Sequence, residues 1–443
     1  MVRKMFYRCS VLLFPLMMAI FFGAYIFNYC PVKMKELSIF VLMFAYWICY
    51  GMFYITYFGN KFGIYEVTEL IYSNFLALFI SNVIFGLILM VIAQSIHGFT
   101  NLAVFSILQF IFMCFWVVFC NKMHLRIYGS HRILVVSGDK EASDILRKKL
   151  ENRKKRFYVK EIVYEAEGID HVFERLEEYR TILAIHVSGN MINTLTHYCF
   201  QEGKQFFTVP QIPEIIRRGM NTVHIIDTPL YSSKKYPITI EQAFAKRFFD
   251  ILVSGIATIV LSPFMLVTAL AIKLQDGGPV FYKQKRLTQG GKEFDVLKFR
   301  SMIVDAEKNS GARLSSGEND SRITKVGKII RAIRFDELPQ LLNILKGDMS
   351  IVGPRPERPE IAEQYYKDLP EFEYRLKVKA GLTGYAQVFG KYNTTPKDKL
   401  KLDLMYINNY SFYQDLKICF YTVKILFLKD STEGIEEGKT TAA

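Results

Sequence analysis

Four long uncharged apolar runs fall within the first 120 residues, at 9–28, 37–58, 70–93 and 102–120. Each has about the 20 residues needed to cross the ~30 Å hydrocarbon core of a bilayer as a helix. Arg3, Lys4 and Arg8 precede the first run, as basic residues precede a signal peptide. No small-x-small cleavage site follows it and three further runs do, so it reads as a retained helix. Arg3, Lys4, Arg8, Lys61, Lys122, Arg126 and Arg132 fall on one side of the four spans, and Lys33 and Lys35 on the other. The positive-inside rule then puts the N-terminus and everything after Cys120 on the cytoplasmic face of the membrane.

The whole chain has 443 residues, enough for two or three domains, and a net charge of +14. In a soluble protein that charge would raise nucleic acid as a partner. Here the basic residues crowd the ends of apolar segments and the later phosphate-binding motifs, so membrane lipid and an anionic substrate account for the excess, with no nucleic acid. The seven cysteines include no C-x-x-C pair, which points to neither zinc nor a disulfide framework.

Residues 1–125 therefore form a four-helix transmembrane bundle, and the pattern changes at residue 130. Arg132-Ile-Leu-Val-Val-Ser-Gly138 reads as a buried parallel strand and turn, Glu141 to Lys149 as an amphipathic helix, and Ile182 to Val187 as a second buried strand. Alternation of this kind predicts a degenerate Rossmann-like α/β domain over 130–232. Dinucleotide binding needs a G-x-G-x-x-G turn so that backbone can approach a pyrophosphate. The turn is Ser137-Gly138-Asp139-Lys140-Glu141-Ala142, with one glycine and two acids, so no cofactor motif is present. A linker is predicted over 233–245, and a polar, disordered tail over 430–443.

A fifth apolar segment, 248–272, is interrupted by Ser262-Pro263. Proline removes a backbone donor and clashes with the preceding turn. Lys246 and Arg247 lie before the segment, and Lys273, Lys283, Lys285 and Arg286 after it. Basic flanks on both sides predict a re-entrant membrane helix that bends at Ser262-Pro263 and returns to the cytoplasmic face.

The chemistry-bearing residues cluster further on, in Lys298-Phe-Arg300, Arg331-Ala-Ile-Arg334-Phe-Asp336-Glu337 and Gly353-Pro-Arg355-Pro356. Lys298, Arg300, Arg331, Arg334 and Arg355 are donors suited to phosphate oxygens. Carboxylates beside phosphates need a reason to be there, and the two good ones are holding Mg2+ and attacking phosphorus. Pro339 suits a first helical turn, which places the acidic pair near a helix N-terminus. A helix cap with a solvated basic face would also explain either motif alone.

The motifs occur together and in order: Lys246-Arg247-x-x-Asp250, Ser262-Pro263, Gly278-Pro-Val-Phe281, Lys298-Phe-Arg-Ser-Met302, Asp336-Glu-Leu-Pro-Gln340, Asn343, Lys346-Gly-Asp-Met-Ser350, Gly353-Pro-Arg-Pro356 and Gly381-Leu-Thr-Gly-Tyr-Ala-Gln387. In this the chain resembles the bacterial sugar transferase family, the monotopic polyprenyl-phosphate sugar-phosphate transferases, and above all its large members. The resemblance covers a catalytic domain over 246–429, expected to be α-rich and anchored by the re-entrant helix. It implies a ping-pong transfer of hexose-1-phosphate from a UDP-sugar to polyprenyl phosphate, beginning polysaccharide repeat-unit assembly at the bacterial inner membrane. Asp336 matches the family's nucleophile and Glu337 its Mg2+ ligand. Arg331, Arg355 and Lys298 match phosphate-side residues, and Lys391 stands on the same side where an Arg is frequent; Lys246, Arg247, Ser262 and Pro263 match the membrane and lipid-headgroup region. A homodimer is implied as well. Ala380, Tyr385 and Lys391 depart from the commonest family pattern, on what the resemblance makes the substrate side. Two other readings are weaker. A nucleotide-sugar dehydratase would need the missing glycine-rich turn, and a non-catalytic assembly platform would not need an intact Asp336-Glu337 pair.

Overall fold

The computed structural model describes residues 2–30, 34–128, 131–151, 157–233, 236–304, 322–390 and 394–426. It divides into two compact units, Met1–Val209 and Pro210–Ala443.

The first unit opens with helices α1 (Val2–Tyr29), α2 (Glu36–Thr56), α3 (Val67–Ala93) and α4 (His97–Tyr128). Each contains a stretch long and apolar enough to cross a membrane. They pack through aromatic side chains. Tyr46, Tyr50, Tyr54 and Tyr57 recur every three or four residues on and just beyond α2 and are fully buried, so one face of the helix is a ladder of rings. Phe22 stacks on Tyr46 at 4.3 Å, and Phe14 lies against Tyr50 and Tyr54. A polar knot crosses three helices. The Tyr46 hydroxyl donates to Asn82 Oδ1 at 2.7 Å, and Asn82 Nδ2 donates to Gln109 Oε1 at 2.7 Å. In an apolar surround such bonds specify which helices pair.

The same unit continues as β1 (His131–Ser137), α5 (Lys140–Glu151), β2 (Phe157–Tyr164), α6 (Ile169–Leu176), β3 (Thr181–Ile185), α7 (Gly189–Gln201) and β4 (Gln205–Thr208). The strands form one parallel sheet in the order β2-β1-β3-β4. Leu134, Val136, Ile182 and Ala184 face a buried layer with Val172, Leu176 and Leu195 from α6 and α7. Ile133, Val135 and Ile185 face the other side, against α5. This two-faced burial is why the strands read as continuous apolar runs.

The second unit comprises α8 (Ile212–Arg218), β5 (Asn221–Ile225), β6 (Thr228–Ser232), α9 (Ile240–Asp276), β7 (Phe281–Leu287), β8 (Glu293–Phe299), α10 (Lys325–Ala332), α11 (Gln340–Lys346), β9 (Ser350–Val352), α12 (Pro359–Asp368), β10 (Gly381–Thr383), α13 (Tyr385–Phe389), α14 (Pro396–Asn408) and α15 (Phe412–Leu426). Ile212 and Ile215 of α8 are buried with Phe372, Leu400 and Leu404. Residues from Pro210 onward group with the second unit, where the apolar face of α8 finds its partner on α14. The β5–β6 hairpin is exposed at every position.

Helix α9 is longer than the apolar segment expected over 248–272. It starts before residue 248 and runs unbroken for 37 residues with Pro263 inside it. The proline cannot supply the N–H that the Ile259 carbonyl would accept. Ser262 Oγ donates to that carbonyl instead, at 2.8 Å. The local repair lets the helix continue past the Ser-Pro step. Its mid-section is greasy and open, with Ile259 75% and Val267 66% exposed. Its first turns are sunk in the protein core, where Asp250 accepts from Ser350 Oγ and from the Ile351 N–H, both at 3.0 Å.

Candidate active site

The site is assembled by three segments. The first is β8, which pairs antiparallel with β7 and carries Lys298. The Asn343 amide pins its far edge: Oδ1 accepts the Leu297 N–H at 2.9 Å, and Nδ2 donates to the Asp295 carbonyl at 2.8 Å. One side chain thus does the work of a neighbouring strand's peptide.

The second segment is the step between α10 and α11. Helix α10 starts at an N-cap, Thr324 Oγ1 accepting the Gly327 N–H at 2.9 Å, and ends with Arg331 in its last turn. Arg334 then takes a left-handed conformation, φ 59°. That conformation costs a non-glycine residue on the order of 1 kcal/mol and reverses the chain sharply. Phe335–Glu337 follow as a single 3-10 turn, and Pro339 occupies the N-cap of α11. The acidic pair lies on the turn ahead of the helix rather than within it.

The third segment is the 353–356 turn. β9 and β10 run parallel, with the Gly353 N–H on the Thr383 carbonyl at 2.8 Å and the Gly381 N–H on the Pro354 carbonyl at 2.9 Å. A Cβ on Gly353 would run into the backbone of Lys379 and Gly381, so the close approach demands glycine. The turn delivers Arg355.

These segments meet at Glu337. Lys298 Nζ and Arg355 Nη2 both reach its Oε1, each at 3.0 Å. Burial alone would raise the Glu337 pKa, but Lys298, Arg355 and Arg334 overcome it and hold the carboxyl far below its ordinary range. Asp336 moves the opposite way. Its pKa is raised, by burial first and then by the Glu337 charge, with Lys298, Arg331 and Arg334 pulling against them. Among the described residues Asp336 makes no side-chain hydrogen bond or ion pair. Adjacent carboxylates thus occupy different states. Glu337 is held by two cations with its pKa lowered; Asp336 has its pKa raised and no bond among the described residues, as a nucleophile or base can.

Among the described residues no cluster of three or more His, Cys, Asp or Glu side chains forms a metal cage. Mg2+ does not need one, since it binds one or two carboxylates together with substrate phosphates. Both bonds to Glu337 land on Oε1. The pair of carboxylates, with Glu337 Oε2 turned to neither cation, suits that mode of binding.

Beyond Arg355 the same turn leads to a buried charge network. Arg375 donates to Asp403 Oδ2 at 2.7 Å and to Glu357 Oε1 at 3.3 Å, and Lys399 reaches Glu357 Oε1 at 2.8 Å. A small pocket next to it is lined by Leu287, Arg355, Glu357, Tyr366 and Arg375.

Of the residues expected at the site, Lys298, Arg355, Asp336 and Glu337 are brought together, and the charge of Arg331 bears on Asp336. Others sit elsewhere. Lys246, expected at lipid headgroups, is buried; its Nζ donates to Asp415 Oδ2 at 2.7 Å and the Val352 carbonyl at 2.9 Å. Arg247 caps the end of α11, donating to the Ile344 and Leu345 carbonyls at 2.6 and 2.7 Å. Both serve the core because the start of α9 is packed there. Arg300, read as a phosphate donor, forks onto Asp276 at the end of α9. Ser262 and Pro263 are exposed on α9. Lys391 lies outside the described residues. Asn343 and Arg334 have structural tasks here that their sequence motifs did not disclose.

The bacterial sugar transferase family model matches residues 241–429. An Aeromonas hydrophila UDP-N-acetylgalactosamine-undecaprenyl-phosphate N-acetylgalactosaminephosphotransferase is 40% identical over 223 residues, 50% of this chain and 52% of that protein. A Caulobacter vibrioides UDP-glucose:undecaprenyl-phosphate glucose-1-phosphate transferase is 40% identical over 191 residues, 42% of this chain and 71% of that protein. A Salmonella typhimurium undecaprenyl-phosphate galactose phosphotransferase is 37% identical over 200 residues, 42% of this chain and 41% of that protein. The chain thus spans about half the length of the Aeromonas relative, by the 52% covered.

Proposed function

Because this chain belongs to the bacterial sugar transferase family, we propose that it transfers a hexose-1-phosphate from a UDP-sugar to polyprenyl phosphate, with Asp336 as nucleophile. The observation that carries this reading is the split acidic pair: Glu337 is held by two cations while Asp336 beside it stays unbonded with a raised pKa.

An Asp336 carboxylate oxygen attacks the β-phosphorus, which bears the sugar. A bond forms from carboxylate oxygen to phosphorus, the bond to the oxygen bridging the two phosphates breaks, and UMP leaves with that electron pair. The sugar phosphate stays on Asp336 as an acyl phosphate. A polyprenyl phosphate oxygen then attacks the same phosphorus, returning Asp336 and giving the polyprenyl diphosphosugar. Arg355, Lys298 and Arg331 supply positive charge where the phosphoryl oxygens gather negative charge. Glu337 would hold Mg2+, which when bound would neutralise the diphosphate and assist the leaving group. The three relatives are named for three different sugars, and we take the donor of this chain from among the same three.

The acceptor is a membrane lipid, and α9 is the natural anchor. In this reading it re-enters the cytoplasmic face of the inner membrane, with its exposed apolar mid-section in lipid and its buried first turns fixed to the catalytic core. Thiol labelling of a cysteine at Gln289 tests the arrangement; reaction from the periplasmic side rules it out.

The decisive assay is UMP release by the full chain in detergent with Mg2+. The donors are UDP-glucose, UDP-galactose and UDP-N-acetylgalactosamine, with and without undecaprenyl phosphate. Lipid-dependent release from one donor, absent in Asp336→Asn, establishes the reaction. No release from any of them overturns it and favours a polysaccharide-assembly platform.

A further inference from the structure

Arg286 lies on β7 outside the residues assigned to the site. Its Nη1 donates to the Pro356 carbonyl at 3.0 Å and its Nη2 to Gln284 Oε1 at 2.6 Å. One residue on, the Leu287 N–H donates to the Glu357 carbonyl at 3.0 Å. The end of β7 is thereby sewn to residues 356–357. On its other side the turn is tied to β10 through the Pro354 carbonyl. Arg355 sits between two prolines whose φ angles are fixed by their rings. Where its guanidinium lands therefore depends on how the turn is held at both ends.

Electrostatics does not explain why an arginine stands there. Both hydrogen-bond acceptors of Arg286 are neutral. Burial, and then the Arg355 charge with Arg358 adding to it, push its pKa down to about 10 against the pull of Glu357. A cation kept where burial and its neighbours oppose it is kept for the geometry its fork imposes.

We propose that Arg286 is a positioning residue: by clamping the Pro356 carbonyl it sets the 353–356 turn so that Arg355 meets Glu337, without touching substrate itself. The kinetic part rests on the proposed transferase reaction; the structural part does not.

Two measurements on the full-length protein in detergent test it. The first is a double-mutant cycle in thermal unfolding with Arg286→Gln, Glu337→Gln and the pair. No bond joins Arg286 to Glu337, so a local structural role predicts additive Tm shifts. Action through Arg355 predicts a double variant that melts higher than the sum of the two single shifts requires, the remaining loss being that of Arg286's own two hydrogen bonds. Additive shifts overturn the proposal whether or not any donor turns over. The second is UMP release with whichever of the three UDP-sugars the wild-type protein uses. Arg286→Gln should lose kcat by about 10²-fold, the scale of a misplaced catalytic group, with KM nearly unchanged. Arg286→Lys should recover part of that loss, since it keeps the charge and one of the two bonds. A raised KM with normal kcat would make Arg286 a substrate-binding residue and overturn the proposal. Wild-type protein silent with all three donors defeats the proposed reaction, and the unfolding cycle alone then decides the role of Arg286.

Discussion

Glu165 in the first unit and Glu337 in the second both sit among donors that a phosphate would use, and they are held in opposite ways. Glu165 accepts the Ser188 N–H at 2.9 Å and the Ser188 hydroxyl, at the start of α7. At the start of α5, Asp139 Oδ1 accepts the Glu141 N–H at 3.0 Å. At both helix starts a side-chain carboxylate takes up a neutral donor that a bound phosphate would need. Glu337 is held by charged side chains, Lys298 and Arg355, with Arg331 and Arg334 close by. One carboxylate completes a cap. The other leaves surplus positive charge around a second carboxylate that has no hydrogen-bond partner among the described residues. Having an acid where a phosphate would go does not define a site; the charge left over around it does.

The largest expected effect breaks the catalytic side of that comparison. Asp336→Asn should reduce turnover by about 10⁴-fold or more, as removal of a nucleophile does. Its melting temperature should hold or rise, because a second buried negative charge beside Glu337 is gone. Turnover near the wild-type rate would leave the covalent step without its nucleophile.

Glu337→Gln comes next. It leaves Lys298 and Arg355 facing a neutral amide, and the lost pairing should cost about 2 kcal/mol, less than the ~3–5 kcal/mol of a fully buried pair because Arg355 keeps some water. It also removes the charge that helps raise Asp336. The sign follows directly: with less negative charge nearby the ionised form is easier to reach, so the Asp336 pKa falls. Single-turnover UMP release without lipid, followed against pH, reads this out. In the wild type the rate should fall as pH drops through a pKa above the ordinary aspartate range. In the variant that fall should move to lower pH. An acid limb that does not move would mean Glu337 does not sense Asp336.

A smaller effect lies in the charge network behind Arg355. Burial opposes ionisation of Glu357, yet Lys399 and Arg375 hold its pKa at about 2. A carboxyl depressed on folding adds stability above its unfolded pKa of about 4.3 and loses it as pH falls toward 2. Glu357→Gln should therefore lower Tm at neutral pH and leave a flatter Tm profile between pH 5 and about 2. An unchanged slope in that window would show that the network does not depend on the charge.

Much of this arrangement was legible because it is local. The four apolar runs became α1–α4 with ends shifted by up to eight residues, and the strand read at Arg132–Gly138 became β1. The Asp336-Glu337 and Gly353-Pro-Arg-Pro motifs, read in the sequence as an anion site, come together in the fold with Lys298 through Glu337. What stayed hidden depends on distance in sequence. Lys246 meets Asp415 across 169 positions, and nothing near Lys246 distinguishes a core ion pair from a headgroup contact. The assignment of α8 to the catalytic unit turns on an apolar face whose partner lies on α14. The left-handed Arg334 carries no signature at all, since glycine, asparagine and aspartate are the residues that usually announce that conformation.

The smallest expected effect sharpens the other side of the comparison. Glu165→Gln keeps a hydrogen-bonding side chain at Ser188 but removes the charge at the start of α7. Loss of a charged cap at an exposed helix start costs about 0.5–1 kcal/mol. The expected result is a slightly lower Tm for the sheet domain with UMP release unchanged. The same substitution frees the α7 start of its negative charge. If neutral donors at a helix start were enough to make a phosphate site, inorganic phosphate or UMP would now raise the Tm of the variant and not of the wild type. If surplus cationic charge is required, as it is around Glu337, neither anion will shift it. Stabilisation by either anion would mean that Glu165 had been masking a second anion site, and that the two carboxylates differ in occupancy rather than in kind.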